Sequence, residues 1–276
     1  MKKLYLLLII ATLSISCEKP AEEVAEIETL CQIQKISYDD GHYELYKFDG
    51  NNRLVETIFT YDDEGKITEF PVKHEYNASG NLSKSTDSYG WTQESIYDAN
   101  GVITRMDFKD EKGELYEQYS ITLDSKKRIT KLVSKIEAIE CTYEYNDPSG
   151  GLSKSEVKWQ GKILDQYNVS SYETDKTKKS YDIVIKGHLF NPAQFTQDII
   201  YDIPLNFKSD NLMAVKGKAS TQYNEDWSTL TDKLRLYYDY TATRKFNSNN
   251  FVIQRASADA IENKTYIKTF AYSNCN

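Results

Sequence analysis

Tyr61-Asp62-Asp63-Glu64-Gly65-Lys66-Ile67-Thr68-Glu69 places an aromatic residue ahead of an acidic run, a glycine, and then an aliphatic residue that opens a new alternating segment. That order is a tight β-hairpin, because Asp and Asn bond their own backbone and Gly accepts φ > 0. The same order recurs as Phe48-Asp49-Gly50-Asn51-Asn52-Arg53-Leu54, Tyr76-Asn77-Ala78-Ser79-Gly80-Asn81-Leu82 and Tyr97-Asp98-Ala99-Asn100-Gly101-Val102-Ile103. Looser copies begin at Phe108, Leu123, Tyr145, Phe207 and Phe246. Repeats of this kind specify an architecture and no chemistry.

Short β-type runs fill the intervals from Cys31 to Tyr172. Those expected are Tyr43 to Phe48, Arg53 to Tyr61, Lys66 to Tyr76, Trp91 to Tyr97, Val102 to Phe108 and Glu114 to Leu123. Arg128 to Tyr145 reads as two strands hinged near Glu137-Ala138. The second half is less regular, with breaks at Asn191-Pro192 and at Asn224 to Thr229, yet no linker separates it from the first. No helix-period segment intervenes, so the fold class is all-β: a single curved antiparallel meander sheet of hairpin repeats, able to curl into an open barrel. Aromatic pairs two residues apart (Tyr46/Phe48, Phe59/Tyr61, Tyr143/Tyr145, Tyr238/Tyr240, Phe270/Tyr272) put both rings on one face of a strand, as a structural ladder would. The 22 tyrosines suit a sheet with one dry and one wet face.

The N-terminus has a different character. Met1-Lys2-Lys3 and the apolar Leu4 to Leu13 form a signal peptide, too short to span a bilayer. Residues 1–16 are assigned to it, residues 17–30 to Cys17 and an acidic tether, and residues 31–276 to the β domain. Leu13-Ser14-Ile15-Ser16-Cys17 resembles the lipobox of bacterial lipoproteins, which implies acylation of Cys17. Residues alone leave an ordinary secreted protein open. Together with Tyr61-Asp62-x-x-Gly65-x-Ile67 and its copies, the lipobox makes the chain similar to YD-repeat-like outer-membrane lipoproteins of the Bacteroidetes, many of unknown function. The resemblance covers Phe48 to Leu152 well and the remainder poorly. It implies a curved β sheet on the outer membrane, with the acidic tether favouring the cell surface over the periplasmic face. It brings no catalytic residues.

Without residues 1–16 the chain carries 32 basic against 42 acidic side chains, which argues against nucleic acid and anionic lipid as partners. Membrane attachment then rests on the acyl group. His42, His74 and His188 are too scattered for a local metal motif, and no zinc, calcium, phosphate-loop or nucleophile-elbow pattern occurs, so neither a metal nor a cofactor is expected. Trp91, Trp159 and Trp227 stand beside turns. Trp91 and Trp227 are the candidate ligand-binding residues, while Trp159 reads as packing. Of the remaining cysteines, Cys141 falls on the dry face, and Cys31 and Cys275 flank the first and last strands, which assigns a Cys31–Cys275 bridge. The reading is a lipid-anchored envelope protein with a non-catalytic binding or scaffolding role, with glycan and protein both open as ligands. The alternative is a glycan-active hydrolase using paired carboxylates in the second-half loops.

Acylation is directly measurable. Intact mass of the membrane-extracted protein is expected to show loss of residues 1–16 and added acyl mass. A Cys17→Ser variant is expected to leave the membrane fraction, and its retention there would reject the anchor.

Overall fold

The computed structural model describes residues 31–146, 152–172, 175, 177–178, 212–220 and 234–273. The signal peptide, Cys17, the tether, His188, Trp227 and Cys275 lie outside them. Sixteen strands follow in chain order: β1 (Gln32–Tyr38), β2 (Tyr43–Phe48), β3 (Leu54–Asp63), β4 (Lys66–Tyr76), β5 (Leu82–Asp87), β6 (Thr92–Tyr97), β7 (Ile103–Lys109), β8 (Leu115–Leu123), β9 (Ile129–Ser134), β10 (Ile139–Tyr145), β11 (Leu152–Trp159), β12 (Lys162–Tyr172), β13 (Leu212–Ser220), β14 (Leu234–Phe246), β15 (Val252–Asp259) and β16 (Lys264–Ser273). Each pairs antiparallel with its chain neighbours. β1 also pairs with β16, from Gln32 opposite Ser273 to Tyr38 opposite Lys268. The expected meander is therefore present, but its edges meet, and the ring is closed rather than an open barrel. Closure satisfies the two edge ladders that an open sheet leaves bare. Strand β5 was not among the expected runs. Its Leu-Ser-Lys-Ser-Thr-Asp sequence has a single apolar residue, so alternation is faint and the strand exists through its neighbours.

The repeat has a definite structural meaning. In five-residue loops beginning at Asp49, Asn77, Asp87, Asp98, Asp110, Asp124 and Asn247, the side-chain oxygen of the first residue accepts two backbone N–H bonds, from the third and fifth residues. Each loop also closes on itself through the backbone, as Asp98 N does on Val102 O at 2.9 Å. The fourth residue has positive φ in all seven: Asn52, Gly80, Gly90, Gly101, Gly113, Lys127 and Asn250. Glu64-Gly65 and Gln160-Gly161 make two-residue turns with φ > 0 at both positions, as right-twisted hairpins favour.

A second contact joins one hairpin to the next. The tyrosine near the end of a strand at the entry rim donates its hydroxyl to the carbonyl of the aliphatic residue that follows the preceding loop: Tyr76 to Leu54 at 2.7 Å, Tyr97 to Leu82 at 2.6 Å, Tyr145 to Ile129 at 2.6 Å and, in the last strand, Tyr272 to Val252 at 2.7 Å. Those four acceptor residues are fully buried. Each bond contributes about 1 kcal/mol net, and more would be lost if the buried carbonyl were orphaned. Arg53 and Arg128 hold the loop carboxylates of Asp49 and Asp124 and lie over the rings of Tyr76 and Tyr145.

Alternation separates the two faces. Side chains such as Leu54, Leu82, Met106, Ile129, Leu132 and Leu164 are nearly inaccessible. They must point into the ring, because outward side chains on a closed barrel diverge and cannot shield one another. The interior packs in two clusters, one under β7 to β12 and one joining β1 to β5 with β14 to β16. The outward face is charged and laced with ion pairs, across strands for Lys47 with Glu56, Lys109 with Glu94 (2.5 Å) and Lys131 with Glu140 (2.7 Å), and along β11 for Lys158 with Glu156 (2.9 Å).

Replacing Gly101 (φ 73°) or Gly65 (φ 84°) by Val is expected to cost about 1 kcal/mol or more. Gly50 has no such φ and open space around it, so Gly50→Ala is expected to be neutral or stabilising by up to about 1 kcal/mol. Denaturant unfolding of the three variants checks both.

Candidate functional site

The chain reaches β1 at one rim of the ring, so the loops at 49–53, 77–81, 98–102, 124–128 and 247–251 share that entry rim, and the alternate turns form the far rim. Ten large apolar side chains are exposed among the described residues, and nine stand at or near the far rim, Ile253 being the exception. They include Tyr61, Ile67, Tyr89, Leu115, Ile136 and Ile261. The far-rim turns are also acidic, with Asp39 and Asp40, Asp62 to Glu64, Asp110 and Glu111, and Asp259 and Glu262.

The hairpin β3–β4 explains the largest part of this surface. Its neighbours pair with it only as far as Phe59 on the β2 side and Val72 on the β5 side, so its tip overhangs the ring. The rings of Phe59, Tyr61 and Phe70 share the inward face of that overhang, and Tyr89 reaches them from the β5–β6 loop. Phe70 lies 6.3 Å from Phe59, 6.4 Å from Tyr61 and 5.6 Å from Tyr89 between ring centroids. The Tyr61 and Tyr89 hydroxyls are 3.3 Å apart, and Tyr89 is 64% exposed. The Phe59/Tyr61 pair is thus a rim platform and not one of the buried ladder pairs. The sequence reading missed it because spacing of two reports a shared face but not whether neighbouring strands extend far enough to cover it.

Other predicted positions fall as follows. Trp91 closes the Asp87 loop at the far rim and is half-buried, its ring 4.9 Å from Tyr116 and steeply inclined to it. Trp159 packs on the larger core cluster and, with Ile136, Glu137, Ala138 and Gln160, lines an open depression of about 450 Å³ at the same rim. Cys31 is disulfide-bonded and Cys141 is a buried thiol outside any disulfide; Cys275 lies outside the described residues. The Glu173 to Lys179 loop and the Asn224 to Thr229 insertion, where the alternative hydrolase carboxylates would sit, fall largely or wholly outside the described residues.

Inside the ring, His74 is held between Thr57 Oγ1 on Nε2 and Ser85 Oγ on Nδ1, both at 2.9 Å. Burial lowers its pKa to about 4, against a smaller opposing pull from Glu56. The same effect raises Asp165, on the inward face of β12, to about 6, although its carboxylate accepts bonds from the Tyr167 hydroxyl at 2.9 Å and from the Gln166 N–H at 2.8 Å. Glu44 accepts the hydroxyls of both Tyr38 and Tyr46. These groups are structural polar contacts within packed surroundings.

No family model matches the chain, and no curated protein does. Among solved structures, a porin-like protein from Bacteroides uniformis ATCC 8492 superposes with a TM-score of 0.53 at 10% identity, over 87% of this chain and 96% of that one. The fold is shared. A porin-like protein from Bacteroides vulgatus ATCC 8482 aligns with a TM-score of 0.40 at 10% identity, over 87% of this chain and 98% of that one. A chain of the Photorhabdus luminescens Tc holotoxin pore aligns with a TM-score of 0.32 at 13% identity, over 82% of this chain and 11% of its own.

The paired shifts of His74 and Asp165 predict an acid profile. His74, lowered in the folded state, contributes stability that is complete above its unfolded pKa near 6.5 and lost as pH falls toward 4. Asp165, raised to about 6, works oppositely, because the folded state takes up its proton first and gains stability as pH falls from 6 toward 3.8. Between pH 6 and 4 these two contributions are expected largely to offset each other. A His74→Gln variant is expected to gain about 3 kcal/mol relative to the wild type from pH 7 to pH 4, read by urea unfolding at each pH.

Proposed function

We propose that the chain is a lipid-anchored, non-catalytic binding domain of a Bacteroidetes-type cell envelope, using its far rim as the interaction face. The observation that carries this is the unequal distribution, among the described residues, of exposed apolar side chains between the two rims. Scattered surface apolar residues are ordinary, whereas their concentration at one end of a barrel marks a contact surface.

Anchoring through Cys17, attachment to the outer membrane and display at the cell surface rest on the signal peptide, the lipobox resemblance and the acidic tether. The YD-repeat reading is supported by the loop geometry and the tyrosine contacts between hairpins. A transmembrane pore is not proposed, although the fold is shared with a protein named porin-like. The outward face carries Lys47, Lys109, Lys131, Lys154 and Lys158, and a lysine facing lipid at mid-bilayer costs about 2–4 kcal/mol. A spanning barrel presents the reverse polarity. Cys31 sits at the entry rim, so a tether starting at an acylated Cys17 would join the domain there and leave the far rim turned to the aqueous side. The Cys31–Cys275 bridge is part of the same proposal, tying the strands of the β1–β16 seam at that rim.

A photo-crosslinking amino acid tests the assignment in cells. Placed at Leu115 or Ile136, it is expected to give discrete protein or glycan adducts, while placement at Asn100 or Ser125 on the entry rim gives none. Adducts from the entry rim alone, or from neither, would overturn the reading.

A further inference from the structure

We infer that the Tyr61–Phe70–Tyr89 platform binds a basic segment of a partner protein, an inference that rests on the far rim being the interaction face. Two independent features select a cation-bearing partner. The first is the state of the rings. Several other exposed or half-buried aromatic rings carry one of the chain's own cations: Lys35 over Tyr43 at 4.5 Å, Lys264 over Tyr266 at 4.6 Å, Lys268 over Tyr38 at 4.8 Å, and the two arginines over Tyr76 and Tyr145. Among the described residues, no lysine or arginine covers Tyr61, Phe70 or Tyr89. Aromatic faces attract ammonium and guanidinium groups, so these rings keep that capacity unspent.

The second feature is charge. Asp62, Asp63 and Glu64 form the tip of the same hairpin, all exposed, and the Cα of Glu111 approaches from the neighbouring loop, where a Cβ on Gly90 would lie 3.8 Å from it. Lys66 is the one basic residue at the tip. A platform for a neutral sugar gains little from such a concentration of negative charge, whereas a peptide carrying Lys or Arg gains attraction and orientation from it. The segment is expected to lie across the overhang, with cations over Tyr89 and Tyr61 and their charges shared with the tip carboxylates.

The test uses the detergent-solubilised full chain and a short fluorescein-labelled peptide of repeated Lys-Leu-Arg-Leu, with Glu-Leu-Glu-Leu as its counterpart. The wild type is expected to bind the basic peptide and not the acidic one, and to weaken with added salt. Tyr61→Ser with Tyr89→Ser is expected to raise Kd about tenfold, the loss of two exposed ring–cation contacts, while Tyr61→Phe with Tyr89→Phe retains binding. Asp62→Asn with Asp63→Asn and Glu64→Gln is expected to weaken binding and flatten its salt dependence. Unchanged thermal unfolding of the Ser variants shows that the fold survives. Equal binding of both peptides, an unaltered Kd in the Ser variant, or displacement of the peptide by a neutral oligosaccharide would overturn the inference. If peptide binding fails while far-rim crosslinks persist, the rim stands as the interaction face and only the chemistry assigned to this platform falls.

Discussion

A single oxygen atom accepting two backbone N–H bonds organises this protein. In each five-residue loop the leading Asp or Asn gathers the amides of the third and fifth residues, and the fourth residue takes positive φ to let the chain return. A hairpin formed this way has its register set within the loop, so the strands leaving it align their dry faces without long-range instruction. Register matters acutely in a sheet of this kind, since a slip by one residue turns every buried side chain outward. The tyrosine hydroxyls then join one hairpin to the next by bonding a buried carbonyl that the twisted sheet would otherwise leave without a partner. Local closure and neighbour-to-neighbour bonding together produce the ring, and only the pairing of β1 with β16 spans the whole sequence.

The two rims diverge because they use different turn chemistry. At the entry rim, the described five-residue loops share one geometry, the hydroxyls of Tyr76, Tyr97, Tyr145 and Tyr272 are engaged beside them, and Arg53 and Arg128 add ion pairs and ring contacts. The far rim mixes two-residue turns, five-residue loops and an overhanging hairpin, and that irregularity leaves apolar side chains without cover. The interaction face proposed for the far rim thus lies where the repeat departs from regularity.

Much of the fold was legible in the residues. Phe48-Asp49, Tyr76-Asn77 and Tyr97-Asp98 announce both strand ends and loop, because the physical demands on a tight hairpin are local. The hinge near Glu137-Ala138 was visible for the same reason, and Ala138 has positive φ between β9 and β10. Strand β5 was not visible, since a strand with one apolar residue is stabilised by the ladders on its two sides. Closure was legible only in outline: the bridge expected between Cys31 and Cys275 sets β1 and β16 near each other, but nothing in the two strands gives the ladder between them. The site was less legible than the fold. Trp91 stands on the far rim but is half-covered by Tyr116, while Tyr61 read as a ladder residue and Tyr89 was not singled out. Their exposure depends on the relative lengths of adjacent strands, a property of the assembled sheet.

A ring in which every strand runs against its neighbours closes only with an even number of strands. Growth by the repeat observes that parity without further adjustment, since duplicating one loop and its two strands inserts a complete hairpin. Each insertion widens the circumference by about 10 Å, two inter-strand spacings, and leaves the β1–β16 seam intact. Interior volume would then grow faster than the side chains available to fill it, so successive duplications convert a packed ring into a hollow one. In such a lineage the packed core described here would be the small-circumference limit, and a cavity a product of gene length alone.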